Sequence, residues 1–114
     1  MILYHNPRCS KSREALQLLA QHGLAPQIIE YLQTPPDAAT LERLLQQLGF
    51  SDPRQLMRQK EDVYQEMQLD NPDLSHAALI DAMVTCPRLI ERPILVAGER
   101  AMIGRPPERL LALL

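Results

Sequence analysis

The sequence is poor in the residues that several classes of binding protein require. Its 114 residues include no Trp, three Tyr and one Phe, so the aromatic surfaces that stack on nucleic-acid bases are not expected. The formal net charge is −2, whereas proteins that neutralise a phosphate backbone carry a clear basic excess. These two absences argue against a nucleic-acid-binding function.

Long apolar runs and cysteines are also scarce. No apolar run approaches the roughly 18–20 residues that span a bilayer, and residues 1–5 lack the features of a signal peptide. The two cysteines cannot form a disulfide framework, and no Cys/His quartet is available for structural zinc. We therefore expect a protein of the reducing cytoplasm, with no membrane segment and no bound metal.

The residues that are present predict one globular domain over residues 1–114. Apolar residues make up 46% and charged residues 23%, which are ordinary globular values and exclude extensive disorder. A chain of this length can bury one core but not two. Ten of the 12 basic residues are Arg, whose planar guanidinium binds oxyanions bidentately, although exposed Arg also commonly serves surface ion pairs.

The order of secondary-structure signals indicates the fold class. A strand at 2–5, a helix from Cys9 or Ser10 to about His22 and a strand at Gln27–Tyr31 form a β-α-β unit, which normally makes a parallel strand pair. After several helices, Gly98-Glu99 separates two apolar runs as in a hairpin, and a short helix at 106–114 follows. This order predicts an α/β fold of the thioredoxin-like type, with a mixed four-stranded sheet and a helical insertion.

The insertion itself contains recognisable helix starts. Asp37 and Ser75 each precede a stretch with apolar residues at helical spacing, and Gly49 ends the first of these stretches. A further short helix is predicted around Gln55–Gln59, with Asp52-Pro53 as its cap, while Glu61–Leu74 is too polar for an assignment.

Cys9 stands between the end of the first predicted strand and the start of the first predicted helix. Unpaired amides at a helix N-terminus favour an anion and can receive the oxygens of a bound oxyanion. Arg8, Lys11, Arg13 and a protonated His5 would add positive potential, which lowers a thiol pKa and makes a thiolate nucleophile available. The alternative, an inert buried cysteine, fits poorly with these polar neighbours.

Ser12 occupies the place where a C-x-x-C motif would carry a second, resolving thiol. A hydroxyl cannot close a disulfide, so an external thiol or Cys86 must complete any sulfur chemistry at Cys9. The Ser12 hydroxyl could hydrogen-bond the thiolate or could be an ordinary first-turn serine. His5 could likewise help to hold the thiolate or could satisfy backbone groups of the loop.

Three arginines outside this loop are candidates for binding an oxyanion. Arg92 precedes Pro93, and a cis-proline at the start of such a strand in a thioredoxin-like sheet would bring Arg92 close to Cys9; the sequence leaves the isomer open. Arg105 follows the hairpin, and Arg58 comes from the helical insertion. Each of them could equally form a surface ion pair.

Three segments resemble the motifs of the ArsC family of glutaredoxin-dependent arsenate reductases. They are YHNPRCSKSR at 4–13, ERPIL at 91–95 and GRPPE at 104–108. They occur in the family's order and at suitable spacing, so the resemblance runs essentially from end to end. The fold of the family is thioredoxin-like, in agreement with the order of elements.

The resemblance implies a role for each matching residue. Cys9 would be the nucleophile that attacks arsenate, and His5 and Ser12 would help to lower its pKa. The oxyanion would be bound by Arg58, Arg92 and Arg105. In the family mechanism glutathione attacks the cysteine–arsenate adduct, glutaredoxin resolves the mixed species, and arsenite leaves. The resemblance thus implies glutathione as a co-substrate, glutaredoxin as a partner and no bound cofactor; we further expect a monomer.

Two other functions are compatible with this family. Spx-type regulators share the fold and bind RNA polymerase without catalysis, but their redox switch typically uses a C-x-x-C disulfide that Ser12 excludes here. A glutathione-linked oxidoreductase acting on another substrate is the second alternative. Arsenate-dependent NADPH oxidation in the presence of glutathione, glutaredoxin and glutathione reductase would distinguish them.

Overall fold

The computed structural model describes all residues from Met1 to Leu114, and the chain divides into two compact units. The first unit comprises Met1–Thr34 and Arg92–Leu114, and the second comprises Pro35–Glu91. The second unit is thus inserted into the first, as the helical insertion was predicted to be. That the whole chain forms one domain stays a prediction.

The first unit is built on four strands: β1 (Ile2–His5), β2 (Gln27–Glu30), β3 (Ile94–Ala97) and β4 (Arg100–Ile103). They form one sheet with the order β2-β1-β3-β4. Strands β1 and β2 are parallel, whereas β1–β3 and β3–β4 are antiparallel pairs. This confirms the predicted mixed sheet of the thioredoxin-like α/β fold.

Helix α1 (Ser10–Gln21) joins the two parallel strands and packs on the sheet. Ala15 and Leu19 are one turn apart, so both face the core, where they meet Leu3 of β1 and Leu95 of β3. All four side chains are fully buried. This contact fixes the start of α1, and with it Cys9, against the carboxyl end of β1.

The hairpin and the end of the chain complete the first unit. Gly98 adopts φ 63°, which the primed turns of tight hairpins require and which glycine accepts without strain. The predicted final helix is present as a 3₁₀ helix, Pro107–Leu113, rather than as an α-helix. It follows Pro106 and begins at Pro107, and it inserts Leu110 into the core beside α1.

The second unit contains α2 (Ala38–Leu48), α3 (Asp62–Glu66) and α4 (His76–Thr85). The helix start predicted at Asp37 and the cap predicted at Ser75 are confirmed, because Asp37 accepts a hydrogen bond from the Thr40 amide at 2.8 Å and Ser75 accepts one from the Ala78 amide at 3.1 Å. Nowhere does a helix combine the length and the apolar content that crossing a bilayer would need.

The cap predicted at Asp52-Pro53 is confirmed, but the short helix predicted around Gln55–Gln59 is wrong in position and type. The structure has a 3₁₀ turn at Pro53–Leu56, started by a capping box in which Asp52 and Gln55 bond each other's backbone. Met57 is already extended because it pairs with Ile90 in an isolated antiparallel bridge. Residues beyond Met57 therefore cannot continue a helix.

Candidate active site

Cys9 is the N-cap residue of α1. Its backbone is extended, with φ −95° and ψ 124°, and its carbonyl accepts the first helical bond, from the Arg13 amide at 3.0 Å. The amides of Lys11 and Ser12 point toward its sulfur without forming a strict capping bond. The sulfur therefore lies at the positive end of the helix, where an anion is stabilised.

The loop that carries Cys9 is held by its own side chains and backbone. The Asn6 side-chain oxygen accepts from the Arg8 amide at 3.0 Å, and the Asn6 carbonyl accepts from the Cys9 amide at 3.0 Å. Arg13 reaches back and donates from Nη1 to the Pro7 carbonyl at 2.9 Å. These bonds leave little freedom in the position of the thiol.

Arg92 brings a guanidinium to the Cys9 sulfur. The Arg92–Pro93 peptide bond is cis, and the Arg92 side chain hydrogen-bonds Cys9. Partial burial alone would raise the pKa of the Cys9 thiol, but the Ser12 amide, the Arg92 guanidinium and the Lys11 amide outweigh it. The pKa of Cys9 is therefore lowered, as expected for an activated thiol.

The cation at Cys9 is not one of those expected from the local sequence. Arg13 is engaged with the Pro7 carbonyl, and the exposed Lys11 ammonium lies 3.5 Å from a carboxylate oxygen of Glu14. The leading charged influence on Cys9 is Arg92, which follows the whole helical insertion in sequence. The fold, rather than the neighbouring basic residues, thus supplies the main positive charge.

His5 is buried beneath the loop, with 5% of its surface exposed. Burial lowers the pKa of His5; the Glu30 carboxylate opposes this effect, and the Arg13 guanidinium adds to it. The net pKa lies below the ordinary histidine value, so the neutral imidazole predominates at neutral pH. The expectation of a protonated His5 is therefore wrong at that pH.

Ser12 connects His5 to the loop. Its side chain is fully buried, and its hydroxyl oxygen accepts a hydrogen bond from the Asn6 amide at 3.0 Å. The same oxygen lies 2.7 Å from His5 Nδ1, with which it shares a hydrogen bond. The Ser12 hydroxyl thus holds the loop in place on its buried side, and the Ser12 amide points to the Cys9 sulfur.

Substitution of Ser12 by Ala is expected to loosen this support. The change leaves His5 Nδ1 and the Asn6 amide without their shared partner, so we expect a loss of about 1–3 kcal/mol in the free energy of unfolding. Urea denaturation measures it, with Ser10→Ala as the control, because Ser10 is exposed on the same helical turn. Equal stability of the two variants would contradict the role given to the hydroxyl.

The backbones of Arg92 and Arg105 lie side by side. The Gly104 amide donates to the Pro93 carbonyl at 2.9 Å, so the two arginines flank this bond on neighbouring chain segments. A Cβ on Gly104 would lie 3.1 Å from the Pro93 side chain and 3.0 Å from that of Leu110, so a larger residue here would require both side chains to shift. Arg105 is exposed, whereas the Arg92 Nε is buried and has no partner within the chain.

Arg58 and Cys86 belong to the second unit. Arg58 pairs with Glu61, its Nη1 lying 3.2 Å from the carboxylate oxygen, and its amide donates to the Leu89 carbonyl at 2.7 Å. Cys86 is the C-cap of α4, and both cysteines of the chain are free thiols. The oxyanion-binding role of Arg58 stays a prediction.

Tyr31 is a residue of this site that the sequence reasoning missed. It directly follows β2, it is 1% exposed, and it lies near the Arg92 guanidinium, whose pKa it helps to raise. Its sequence context is an ordinary strand end. Its position directly after β2 could have indicated that it lies near the Cys9 loop, because β2 is parallel to β1 and adjacent parallel strands end at the same edge of a sheet.

Comparisons with known proteins agree with this fold and indicate the family. The ArsC family model matches residues 4–113. The chain is 59% identical to the uncharacterized protein YfgD of Escherichia coli, covering 96% of this chain and 92% of that one. It is 48% identical to an arsenate reductase of Haemophilus influenzae, covering 100% of this chain and 98% of that one. The solved structure of an arsenate reductase from Vibrio cholerae matches with a TM-score of 0.97 and 52% identity, covering 99% of this chain and 96% of that chain. The chain therefore belongs to the ArsC family.

Proposed function

We propose that this protein is an arsenate reductase-like thiol oxidoreductase in which the Cys9 thiolate is the nucleophile. The observation that carries the proposal is the contact between the Arg92 guanidinium and the Cys9 sulfur at the N-terminus of α1. This arrangement favours the thiolate, and it also offers a tetrahedral oxyanion a cation and helix amides next to the nucleophile. The arsenate reductases among its relatives supply the substrate class.

The first step forms a covalent adduct. The Cys9 sulfur attacks the As(V) atom of arsenate, an As–S bond forms, and one arsenate oxygen leaves as water after it is protonated. The arsenic stays As(V) in this step, because one oxygen ligand has been exchanged for one sulfur ligand. Arg92 would neutralise part of the negative charge that otherwise repels the thiolate.

Reduction then needs two thiols from outside the chain. Glutathione replaces a second oxygen on arsenic, which also leaves as water, and a glutaredoxin thiolate attacks the glutathione sulfur. The new S–S bond takes glutathione away, and the electron pair of its As–S bond passes to arsenic, which becomes As(III). Water then cleaves the remaining bond to Cys9, which releases arsenite and restores the thiol.

The presence of Ser12 supports this external route. An internal dithiol would need a second cysteine near Cys9, but the third position after it holds a buried serine that supports the loop. Glutathione and glutaredoxin are thiols of the reducing cytoplasm, where we place the reaction. The protein then needs no bound cofactor and works as a monomer.

The oxyanion ligands in this proposal are Arg92 and Arg105, together with Arg58. Arg92 presents a buried Nε donor without a partner in the chain, and Arg105 extends from the neighbouring segment. Arg58 enters by its resemblance to the family motif, and its described partner is Glu61. Guanidinium groups suit this task because they hold two oxygens of one anion at fixed geometry.

The test is arsenate-dependent NADPH oxidation with glutathione, glutaredoxin and glutathione reductase. We expect turnover that requires the protein, arsenate and both thiols. Turnover without arsenate but with another oxidised substrate would assign the same site to a different glutathione-linked reaction. No turnover with any of them, by a folded protein with a reactive Cys9, would reject the proposal.

Substitution of Cys86 by Ser is expected to leave turnover within about twofold of the unchanged protein, because Cys86 takes no part in the external-thiol route. The same assay measures it, with circular dichroism to verify folding. Loss of activity in a folded Cys86→Ser variant, together with a Cys9–Cys86 disulfide found by mass spectrometry after arsenate treatment, would replace the external route with an internal one.

A further inference from the structure

A cavity of about 240 Å³ lies beside the loop that carries Cys9. Two chain segments line it, residues 5–8 and the residues Glu30, Leu32 and Gln33. The register of the parallel strands brings these segments together, because His5 of β1 pairs with Glu30 of β2 and both strands end at this edge of the sheet. Arg8 directly precedes Cys9, and consecutive Cα atoms are about 3.8 Å apart, so the cavity borders the nucleophile.

Hydrogen bonds of the backbone hold both sides of this cavity. On one side, the Asn6 side-chain oxygen accepts from the Arg8 amide at 3.0 Å. On the other side, the Glu30 carbonyl accepts from the Gln33 amide at 3.0 Å and from the Thr34 amide at 2.9 Å. Because its walls are already fixed, the cavity can bind a ligand with little further loss of conformational entropy.

Arg8 and Glu30 give the cavity one positive and one negative side chain. Both are exposed, and neither takes part in an ion pair of the chain. The Gln33 side chain adds a neutral amide that can both donate and accept a hydrogen bond. An α-amino acid group carries an ammonium and a carboxylate on the same carbon, so it matches this pair of charges. A simple anion would instead meet the Glu30 carboxylate, and like charges repel.

We propose that this cavity binds the γ-glutamyl end of glutathione, with Arg8 on its α-carboxylate and Glu30 on its α-ammonium. The cavity is smaller than the roughly 300–1,000 Å³ of sites that enclose a drug-sized ligand, so it takes one end of the tripeptide. The glycine end carries a carboxylate alone and has no ammonium to pair with Glu30. The choice of glutathione rests on the proposed function, whereas the preference for an α-amino acid group follows from the cavity itself.

This placement brings the glutathione thiol to the arsenic atom on Cys9. The cysteine of glutathione is joined directly to the γ-glutamyl group, and one extended residue spans about 3.3–3.6 Å. Arg8 and Cys9 are neighbours, so a thiol held one residue from the cavity is within reach of a group bound to the Cys9 sulfur. The cavity raises the effective concentration of the second thiol and contributes no reacting group.

The experiment measures the binding of unreactive glutathione analogues by NMR titration of the isotope-labelled protein. S-methylglutathione is the main probe, since its blocked thiol cannot react. S-methylated glutaryl-cysteinyl-glycine keeps the carboxylate of the γ-glutamyl group but lacks its ammonium. S-methylated γ-aminobutyryl-cysteinyl-glycine keeps the ammonium but lacks the carboxylate. Each probe is titrated into the unchanged protein, Arg8→Gln and Glu30→Gln.

We expect S-methylglutathione to shift the amide signals of Arg8 and Gln33 until they saturate. Arg8→Gln and Glu30→Gln should each raise its Kd about three- to tenfold, as expected for losing one hydrogen bond of ordinary strength. Removing the ammonium from the probe should weaken binding to the unchanged protein but not to Glu30→Gln. Removing the carboxylate should weaken binding to the unchanged protein but not to Arg8→Gln, because the partner of the deleted group is already gone.

Glu99→Gln and Arg100→Gln are the matched controls, because both residues are exposed at the hairpin. The pairing of Ile2 with Val96 puts this hairpin at the opposite end of the sheet from the Cys9 loop. Both controls should bind S-methylglutathione as the unchanged protein does. Shifts that do not saturate, or an equal loss of affinity in the controls, would overturn the proposal. Equal sensitivity of all the proteins to the two deletions in the probe would overturn it as well.

The titrations contain no arsenate, so they test the cavity separately from the proposed function. In the coupled assay, the KM for glutathione should rise about three- to tenfold in Arg8→Gln and Glu30→Gln, with the KM for arsenate unchanged. Specific binding by a protein that does not turn over arsenate supports the cavity and rejects the function. Turnover without binding in the cavity supports the function and shows that glutathione reacts without this site.

Discussion

Replacing Cys9 by Ser will reduce kcat/KM for arsenate by at least about a thousandfold, because the hydroxyl cannot take the place of the thiolate. A serine nucleophile would need a general base to remove its proton. The nearest imidazole, His5, shares its Nδ1 hydrogen bond with Ser12. The coupled NADPH assay measures the loss, and Cys86→Ser is the matched control because it removes the other free cysteine.

The role of Cys9 can also be tested in the unsubstituted protein, through the pH dependence of its alkylation. The pKa of Cys9 is lowered, so its alkylation rate should have its midpoint below about 8.5, the ordinary value for a thiol. As the pH falls through that lowered pKa, the thiolate is protonated and the rate declines. A midpoint at or above the ordinary value would remove the argument that this site activates the thiol. Residual turnover near the original level in Cys9→Ser would remove Cys9 from the chemistry altogether.

The sequence predicted the elements that depend on local signals. Periodic apolar residues, caps and turn residues indicated the β-α-β start, the hairpin at Gly98 and the starts of α2 and α4, and these are confirmed. The place of Cys9 at the N-terminus of a helix was predicted for the same reason, because it depends on neighbours in the chain. The 3₁₀ turn at Pro53–Leu56 was misplaced, since its end is decided by the pairing of Met57 with the distant Ile90.

The chemistry of the site depended more on tertiary contacts. The basic residues around Cys9 suggested a local source of positive charge, but Arg13 bonds a carbonyl. The expectation that a cis Pro93 would bring Arg92 close to Cys9 is confirmed, although the sequence alone left the isomer open. The protonation state of His5 follows from burial, which the loop sequence does not reveal. Tyr31 was not predicted to lie near this site for the same reason, because its sequence context does not reveal that the fold places it near Arg92.

Arg92→Lys is expected to raise the KM for arsenate about 10- to 100-fold, although the positive charge is kept. Arg92 contacts the Cys9 sulfur, and its buried Nε donor has no partner in the chain. A lysine ammonium is a point charge on a flexible stem, so it cannot serve these positions together. Arg105→Lys should give a smaller increase, because Arg105 is exposed and its charge is screened by solvent.

Steady-state kinetics at varied arsenate concentration measure both variants, and their double variant reports the coupling between the two arginines. Arg100→Lys is the matched control, since Arg100 is an exposed arginine of the same hairpin. A cooperative pocket predicts that the double variant departs from the sum of the single effects, because both guanidinium groups would bind one anion. Normal arsenate kinetics in both Arg92→Lys and Arg105→Lys would show that the oxyanion is bound elsewhere. A loss confined to kcat would instead leave Arg92 as a stabiliser of the thiolate and of the transition state, with no part in holding the ground-state anion.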